Sequence, residues 1–215
     1  MDTNLPAHII LVRHGVTPTT GQVLPGRAPG LHLSEAGILQ ARQVAARLSD
    51  VPVTALYSSP MERARETAAP TAENFGLTPV ICEDLNECDF GDWTGARLSD
   101  LARLPEWTTV QKTPSQFRFP GGESFLDMRD RMAGALRRIA ARHKGETVVC
   151  VGHADPIKAA VTVVNGAGLD TFQAVTIDPA SVSVAKFAAD GTTSMLMTNT
   201  TSGPVILTGE VGGRD

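Results

Sequence analysis

Cysteine is scarce in this chain, with three in 215 residues at Cys82, Cys88 and Cys150, an odd number without a C-x-x-C pair. That spacing suggests neither a disulfide framework nor a zinc knuckle, and it fits a reducing cytoplasm. No apolar run approaches the roughly 18 residues of a membrane-spanning helix. The opening "MDTNLPAH" has neither the basic stretch nor the apolar segment of a secretory leader. Basic charge is not in excess. The net charge of -4 argues against a non-specific nucleic-acid binder, which needs a cationic face to displace phosphate counterions. Any anion site must therefore be local, and the expectation is a cytoplasmic protein with no nucleic-acid or membrane partner.

What is present is the composition of a soluble globular chain, 42% hydrophobic and 20% charged, of a length that suits one core. "HIILVRHG" and "ETVVCVGHA" are short continuous apolar runs that stop at a polar residue beside glycine, as strands buried on both faces do. "VTALYSSP" reads as a third strand and "PVICEDL" as a shorter fourth. Helical patterns lie between them. "LSEAGILQARQVAARLSD" opens on Ser34 as N-cap and places Ile38, Val44, Ala45 and Leu48 at roughly helical spacing. "PMERARETAAPTAENFG" puts Pro60 near its first turn, a kink at Pro70 and a stop at Gly76. "FLDMRDRMAGALRRIAARHKG" is the longest, with Ser124 as its cap and Gly145 as its stop. Alternation of this kind implies an α/β three-layer sandwich, a mostly parallel central sheet with helices on both faces. "SVSVAKFAADGTTSMLMTNT" adds a late edge hairpin turned at "DG". Residues 1–202 form the expected single domain. The Gly-rich 203–215 is expected to be a loose tail, and "SVSVAKF" could pair with a second copy in a homodimer.

Arg13 and His14 end the first strand, and His153 ends "TVVCVG". Ligands of open α/β sheets bind beyond such strand ends, so two histidines distant in sequence can meet there. A capped loop histidine is the plainer reading of either one alone. Arg13 supplies a planar fork of donors, and Arg63 in "SSPMERARETA" lies about one turn into a helix that follows a strand. Two guanidiniums and a helix N-terminus facing one crevice make an anion site.

Six segments in order, "LVRHGVTP", "LSEAGILQARQVAARL", "LYSSPMERARETA", "LNECDFGDWTG", "FPGGESFLDMRDR" and "VVCVGHADPIKAA", resemble the histidine phosphatase superfamily, which includes the cofactor-dependent phosphoglycerate mutases and many phosphatases. The resemblance implies that fold. It also implies that His14 is the nucleophile, that Arg13, Arg63 and His153 hold the phosphoryl oxygens, and that Glu87 is the proton donor. Neither a metal nor a cofactor is implied, and the expected partner is a small phosphorylated substrate. Glu83, Asp84, Asp89 and Asp92 crowd Glu87 in sequence, and only the resemblance selects among them. Gly15 would let the backbone pass close to an oxyanion, and Thr17 either donates a hydroxyl to it or closes a local turn. Asp155 before Pro156 reads as a structural N-cap, and Lys158 as a surface lysine. Glu123 would orient the site through its loop, and Cys88 is expected to be a small buried side chain.

The chain departs from the family pattern at Thr20, where many members have asparagine. Thr20 and Gly21, in a loop rich in Pro and Gly, are therefore pocket candidates. The stretch between "DWTG" and "FPGGES" is short and offers Arg97, Arg103, Lys112 and Arg118, of which Arg118 is the pocket candidate. So short a cap keeps a phosphohistidine dry poorly, which favours hydrolysis over mutase chemistry. Trp107, Phe117 and Phe119 either wall the leaving group or cover the core.

Overall fold

The computed structural model describes residues 5–208. Its strands are β1 (Ala7–Arg13), β2 (Val53–Ser58), β3 (Val80–Ile81), β4 (Thr147–Gly152), β5 (Val182–Phe187) and β6 (Thr193–Thr200). Its helices are α1 (Glu35–Arg47), α2 (Glu62–Phe75), α3 (Leu98–Leu101), α4 (Trp107–Lys112), α5 (Phe125–Arg142) and α6 (Ala154–Val164). The strands form one sheet in the spatial order β3-β2-β4-β1-β5-β6. The first four run parallel, and β5 and β6 pair antiparallel at one end.

The apolar runs at the middle of the sheet explain this order. Ile9 to Val12 of β1 and Val148 to Val151 of β4 are buried throughout, each large aliphatic contributing about 1.5–3 kcal/mol. Alternate side chains serve opposite faces. Ile10, Val12, Val149 and Val151 meet Val44, Leu48, Ala64 and Ala68 from α1 and α2, whereas Ile9, Leu11, Val148 and Cys150 meet Leu136, Ile139, Ile157 and Ala160 from α5 and α6. A third apolar cluster joins Phe90, Trp93, Phe117, Phe119, Phe125 and Phe172. Trp107, Phe117 and Phe119 belong to this cluster and so cover the core. Among the described residues no helix is long and apolar enough to cross a membrane.

Helix ends follow their capping chemistry. The Ser34 hydroxyl accepts from the Gly37 N–H to open α1, and Ser124 forms a reciprocal capping box with Asp127 to open α5. Gly76, at φ 62°, closes α2 in the left-handed region.

Several details differ from the expectation. Ile38 is 45% exposed, because α1 turns Gly37, Ala41, Val44 and Ala45 inward instead. Helix α2 begins at Glu62 after its Met61 cap, so Pro60 lies just outside the first turn. "SVSVAKF" is not an edge, since β5 lies between β1 and β6. The expected loose tail is described only to Thr208, and 209–215 lie outside the described residues. The part from Gly203 to Thr208 has no regular element, yet it is fastened. Arg47 donates to the Thr200, Ser202 and Gly203 carbonyls, and Val205 and Leu207 pack on the α1/α2 side of the core.

Candidate active site

Strand register brings the distant histidines together. Arg13 of β1 pairs with Gly152 of β4, and the His14 N–H donates to the Gly152 carbonyl at 2.9 Å. His14 thus leaves β1 beside the point where His153 leaves β4 to cap α6. The two rings lie 5.2 Å apart at an interplanar angle of 62°.

Both rings are held neutral, and the tautomer of His14 follows from its partner. His14 Nδ1 is 2.7 Å from the Gly15 carbonyl oxygen. A carbonyl only accepts, so Nδ1 carries the proton and Nε2 presents a lone pair. Burial, then the Arg63 charge, lowers the His14 pKa to about 3 against the pull of that hydrogen bond. His153 Nε2 lies 2.7 Å from the Ser59 hydroxyl, which itself accepts from the Met61 N–H. The same hydroxyl lies 3.5 Å from Asn86 Oδ1. The other ring nitrogen of His153, Nδ1, is buried and unpartnered. Burial and the Arg63 charge hold this ring well below its ordinary value.

The guanidiniums supply further free donors. Arg13 Nη1 donates to the Ile177 carbonyl at 2.7 Å, and Arg63 Nη2 to the Gly26 carbonyl at 2.8 Å. Arg13 Nε, Arg63 Nε and Arg63 Nη1 are buried with no partner. Arg63 is fully buried in the first turn of α2, where a cation without compensation costs several kcal/mol. An anion placed among these N–H groups would offset that cost.

Glu87 is the buried carboxyl beside these groups. Burial, then the charge of Asp155, raises its pKa to about 7, against the pull of Arg63 and Arg13. Its Oε1 accepts from the Cys88 N–H at 2.9 Å. That bond keeps Oε1 an acceptor and places the proton of the neutral acid on Oε2, the oxygen 3.9 Å from His153 Nδ1.

In front of these groups lies a cavity of about 380 Å³, whose floor includes Arg13, His14 and Glu87. Thr17, Thr20 and Gly21 line it, and Thr17 closes a local turn, its N–H donating to Thr20 Oγ1 and its hydroxyl 3.0 Å from the same oxygen. Arg63 and His153 lie behind its surface. Four expectations are corrected. Arg118 does not line the cavity but pairs with Asp127, the residue that completes the α5 capping box. Gly15 does not offer its N–H to a ligand, because the Thr67 hydroxyl takes it at 3.0 Å. Glycine is required there because a Cβ would stand 2.7 Å from the Gly37 carbonyl. Asp155 is not the cap of α6, since His153 is, and it faces the cavity from the first turn. Lys158 also lines the cavity, 3.6 Å from Asp155 and 5.1 Å from the Phe172 ring centre.

Sequence reasoning missed Ser59, Thr67 and Arg27, as well as the apolar wall of Leu24, Phe90 and Leu98. Ser59 had a usable signal, a second serine at the end of "LYSSP" directly ahead of a helix. Arg27 sits in an aperiodic loop that has none.

The histidine phosphatase superfamily (branch 1) matches residues 9–200. The chain belongs to the histidine phosphatase superfamily. A bifunctional protein of Mycobacterium tuberculosis is 36% identical over 200 residues, covering 91% of this histidine phosphatase chain and 54% of its own length. The chain thus spans about half the length of the first curated relatives it matches. Phosphoserine phosphatase 1 of Hydrogenobacter thermophilus is 34% identical over 181 residues, 82% of this chain and 84% of that protein. Among solved structures, mycobacterial glucosyl-3-phosphoglycerate phosphatase superposes with a TM-score of 0.82 at 23% identity, over 90% of this chain and 99% of its own. The α-ribazole phosphatase of Shigella flexneri does so at 0.81 and 23%, over 93% and 99%. These two likenesses show the fold.

Proposed function

We propose that this chain is a metal-independent phosphomonoester hydrolase acting through a phosphohistidine on a small phosphorylated metabolite. Three buried, unpartnered guanidinium nitrogens carry this reading, Arg13 Nε, Arg63 Nε and Arg63 Nη1, together with the unpartnered Nδ1 of His153, whose ring lies 5.2 Å from that of His14. They suit the three outer oxygens of a phosphoryl group, whose charge they stabilise through transfer. The phosphatase names of the relatives agree with it. A cavity of about 380 Å³ falls in the range of small-ligand sites.

The lone pair on His14 Nε2 attacks phosphorus and forms the P–N bond as the ester P–O bond breaks. The Glu87 Oε2 proton passes to the departing alkoxide. Glu87, now a carboxylate, takes a proton from the water that attacks phosphohistidine, which releases phosphate and restores both groups. A carboxyl titrating near 7 serves both steps at neutral pH. Hydrolysis is favoured over mutase chemistry by the cavity wall. Among the described residues its cations are Arg13 and Lys158, and Lys158 is paired with Asp155. A second acid group of a phosphoglycerate finds no free cation there.

The test is phosphate release from p-nitrophenyl phosphate with EDTA present, wild type against His14→Ala, with acid-stable and base-stable phosphoenzyme compared after rapid quench. EDTA-resistant turnover and a base-stable phosphoenzyme, both absent in the variant, are expected. Turnover that survives His14→Ala, or that EDTA abolishes, overturns the reading.

A further inference from the structure

The backbone behind Glu87 is gripped by side chains that never reach the cavity. The Glu87 carbonyl accepts from Arg27 Nε at 2.8 Å and from Arg131 Nη2 at 2.9 Å. Its N–H donates to Asn86 Oδ1. Arg131, on α5, has all five of its N–H donors engaged. Nη1 holds the Asp84 and Asn86 carbonyls, each at 2.8 Å, Nη2 holds the Glu87 carbonyl and Glu123 Oε1, and Nε holds Glu123 Oε2. Glu123 joins the two guanidiniums, lying 2.7 Å from Arg131 and 3.1 Å from Arg27, and it also accepts from the Asp89 N–H at 2.9 Å. Arg27 comes from the loop that roofs the cavity, next to the Gly26 carbonyl that Arg63 holds.

We infer that Glu123, acting through Arg131 and Arg27, is a positioning residue that fixes the carboxyl of Glu87 in the site and couples it to the roof loop. The inference rests on Glu87 being the proton donor. The local geometry makes the link. Glu87 Oε1 is bound by the N–H of the very next residue, so side chain and peptide move as one. Whatever holds the Asp84, Asn86 and Glu87 carbonyls therefore holds the acid. A lysine has one nitrogen and no fork, and cannot serve three carbonyls and a carboxylate together. The titratable and charged groups facing Glu87 are Arg13 from β1, Arg63 from α2, and His153 and Asp155 from the start of α6, with Arg27 and Arg131 on its carbonyl. Loosening the grip lets water reach the carboxyl and weakens the burial that opposes its ionisation.

The experiment compares wild type, Glu123→Gln and Arg131→Lys on p-nitrophenyl phosphate and on propyl phosphate, whose leaving group must be protonated. Alkyl-ester kcat is expected to fall tenfold or more while nitrophenyl kcat changes less than threefold and neither KM moves. The basic limb of the alkyl pH profile should shift to lower pH. Equal losses on both esters with an unmoved limb would show that the cluster merely folds the loop, and the inference fails. Arg27→Gln, at a guanidinium one-third exposed, should give the same pattern at smaller amplitude, which covers non-folding of Glu123→Gln. Carbon-13 titration of Glu87, assigned with Glu87→Gln, reads the carboxyl without turnover. Its midpoint should fall in Glu123→Gln, and an unchanged midpoint overturns the inference. A lowered midpoint in an enzyme that hydrolyses neither ester would leave the grip standing and sink the phosphatase reading.

Discussion

Replacing Arg63 with methionine should drive activity and stability apart. The side chain is fully buried, two of its nitrogens have no partner, and the third group donates one bond to the Gly26 carbonyl. Losing a preorganised donor to a developing anion costs about 10²–10³-fold in rate, and Arg63 offers two, so kcat/KM should drop by about 10³ or more. Losing the bond to Gly26 costs about 1 kcal/mol, while removal of an uncompensated buried cation relieves several kcal/mol. The variant should therefore be as stable as wild type or more so, by about 1–3 kcal/mol in urea unfolding. The buffer must be free of phosphate, which would stabilise wild type by binding. Arg63 is also the leading charge that depresses His14, so the acidic limb of the pH profile should move up in pH. A stability loss above about 2 kcal/mol with an unmoved limb would mean that Arg63 is a strut for the Gly26 loop, and the anion-site reasoning would be refuted.

Three further outcomes are expected. Glu87 has a folded pKa of about 7 against an ordinary 4.5, so its contribution favours folding below 4.5 and is lost as pH rises through 7. Glu87→Gln should accordingly raise stability at pH 8 by up to roughly 3 kcal/mol and change it little at pH 4.5, as thermal melts at the two pH values will show. At Gly37 a Cβ would stand 2.1 Å from the Val16 carbonyl, so Gly37→Ala should cost about 1–3 kcal/mol or more in denaturant titration and slow turnover by shifting the His14 loop. Arg47→Ala should speed amide hydrogen exchange from Thr200 to Leu207 and leave kcat unchanged, because its bonds end on the Thr200–Gly203 segment, away from the cavity.

The sequence was most legible where one physical cause dominates. Ile9–Val12 and Val148–Val151 read as buried strands because a continuous apolar run that stops after a few residues beside glycine is too short for a buried helix, and Ser34, Ser124 and Gly76 mark helix ends by local chemistry. Strand ends then placed Arg13, His14 and His153 in one crevice. Glu87 was not legible by spacing, since five acidic residues share its loop and only the fold decides which one is buried. Direction was the other blind spot. Asp155 and Lys158 point into the cavity and Arg118 away from it because of where α6 and the α5 cap sit in space, and periodicity within one element does not report that. The Glu123–Arg131–Arg27 cluster joins three distant segments through backbone carbonyls, which leave no trace in residue type.

The order of the sheet decides when the proposed site is assembled. Strand β4 is inserted between β2 and β1, and it is the strand that delivers His153. A nascent chain that has emerged through α5 holds His14, Arg13, Arg63 and Glu87, yet β1 and β2 lack the strand that joins them. Activity should consequently be absent throughout synthesis until β4 slots in. The exposed turn at Lys144 and Gly145 just before β4 is a natural place to divide the protein into two inert halves, whose reunion would be reported by hydrolysis itself.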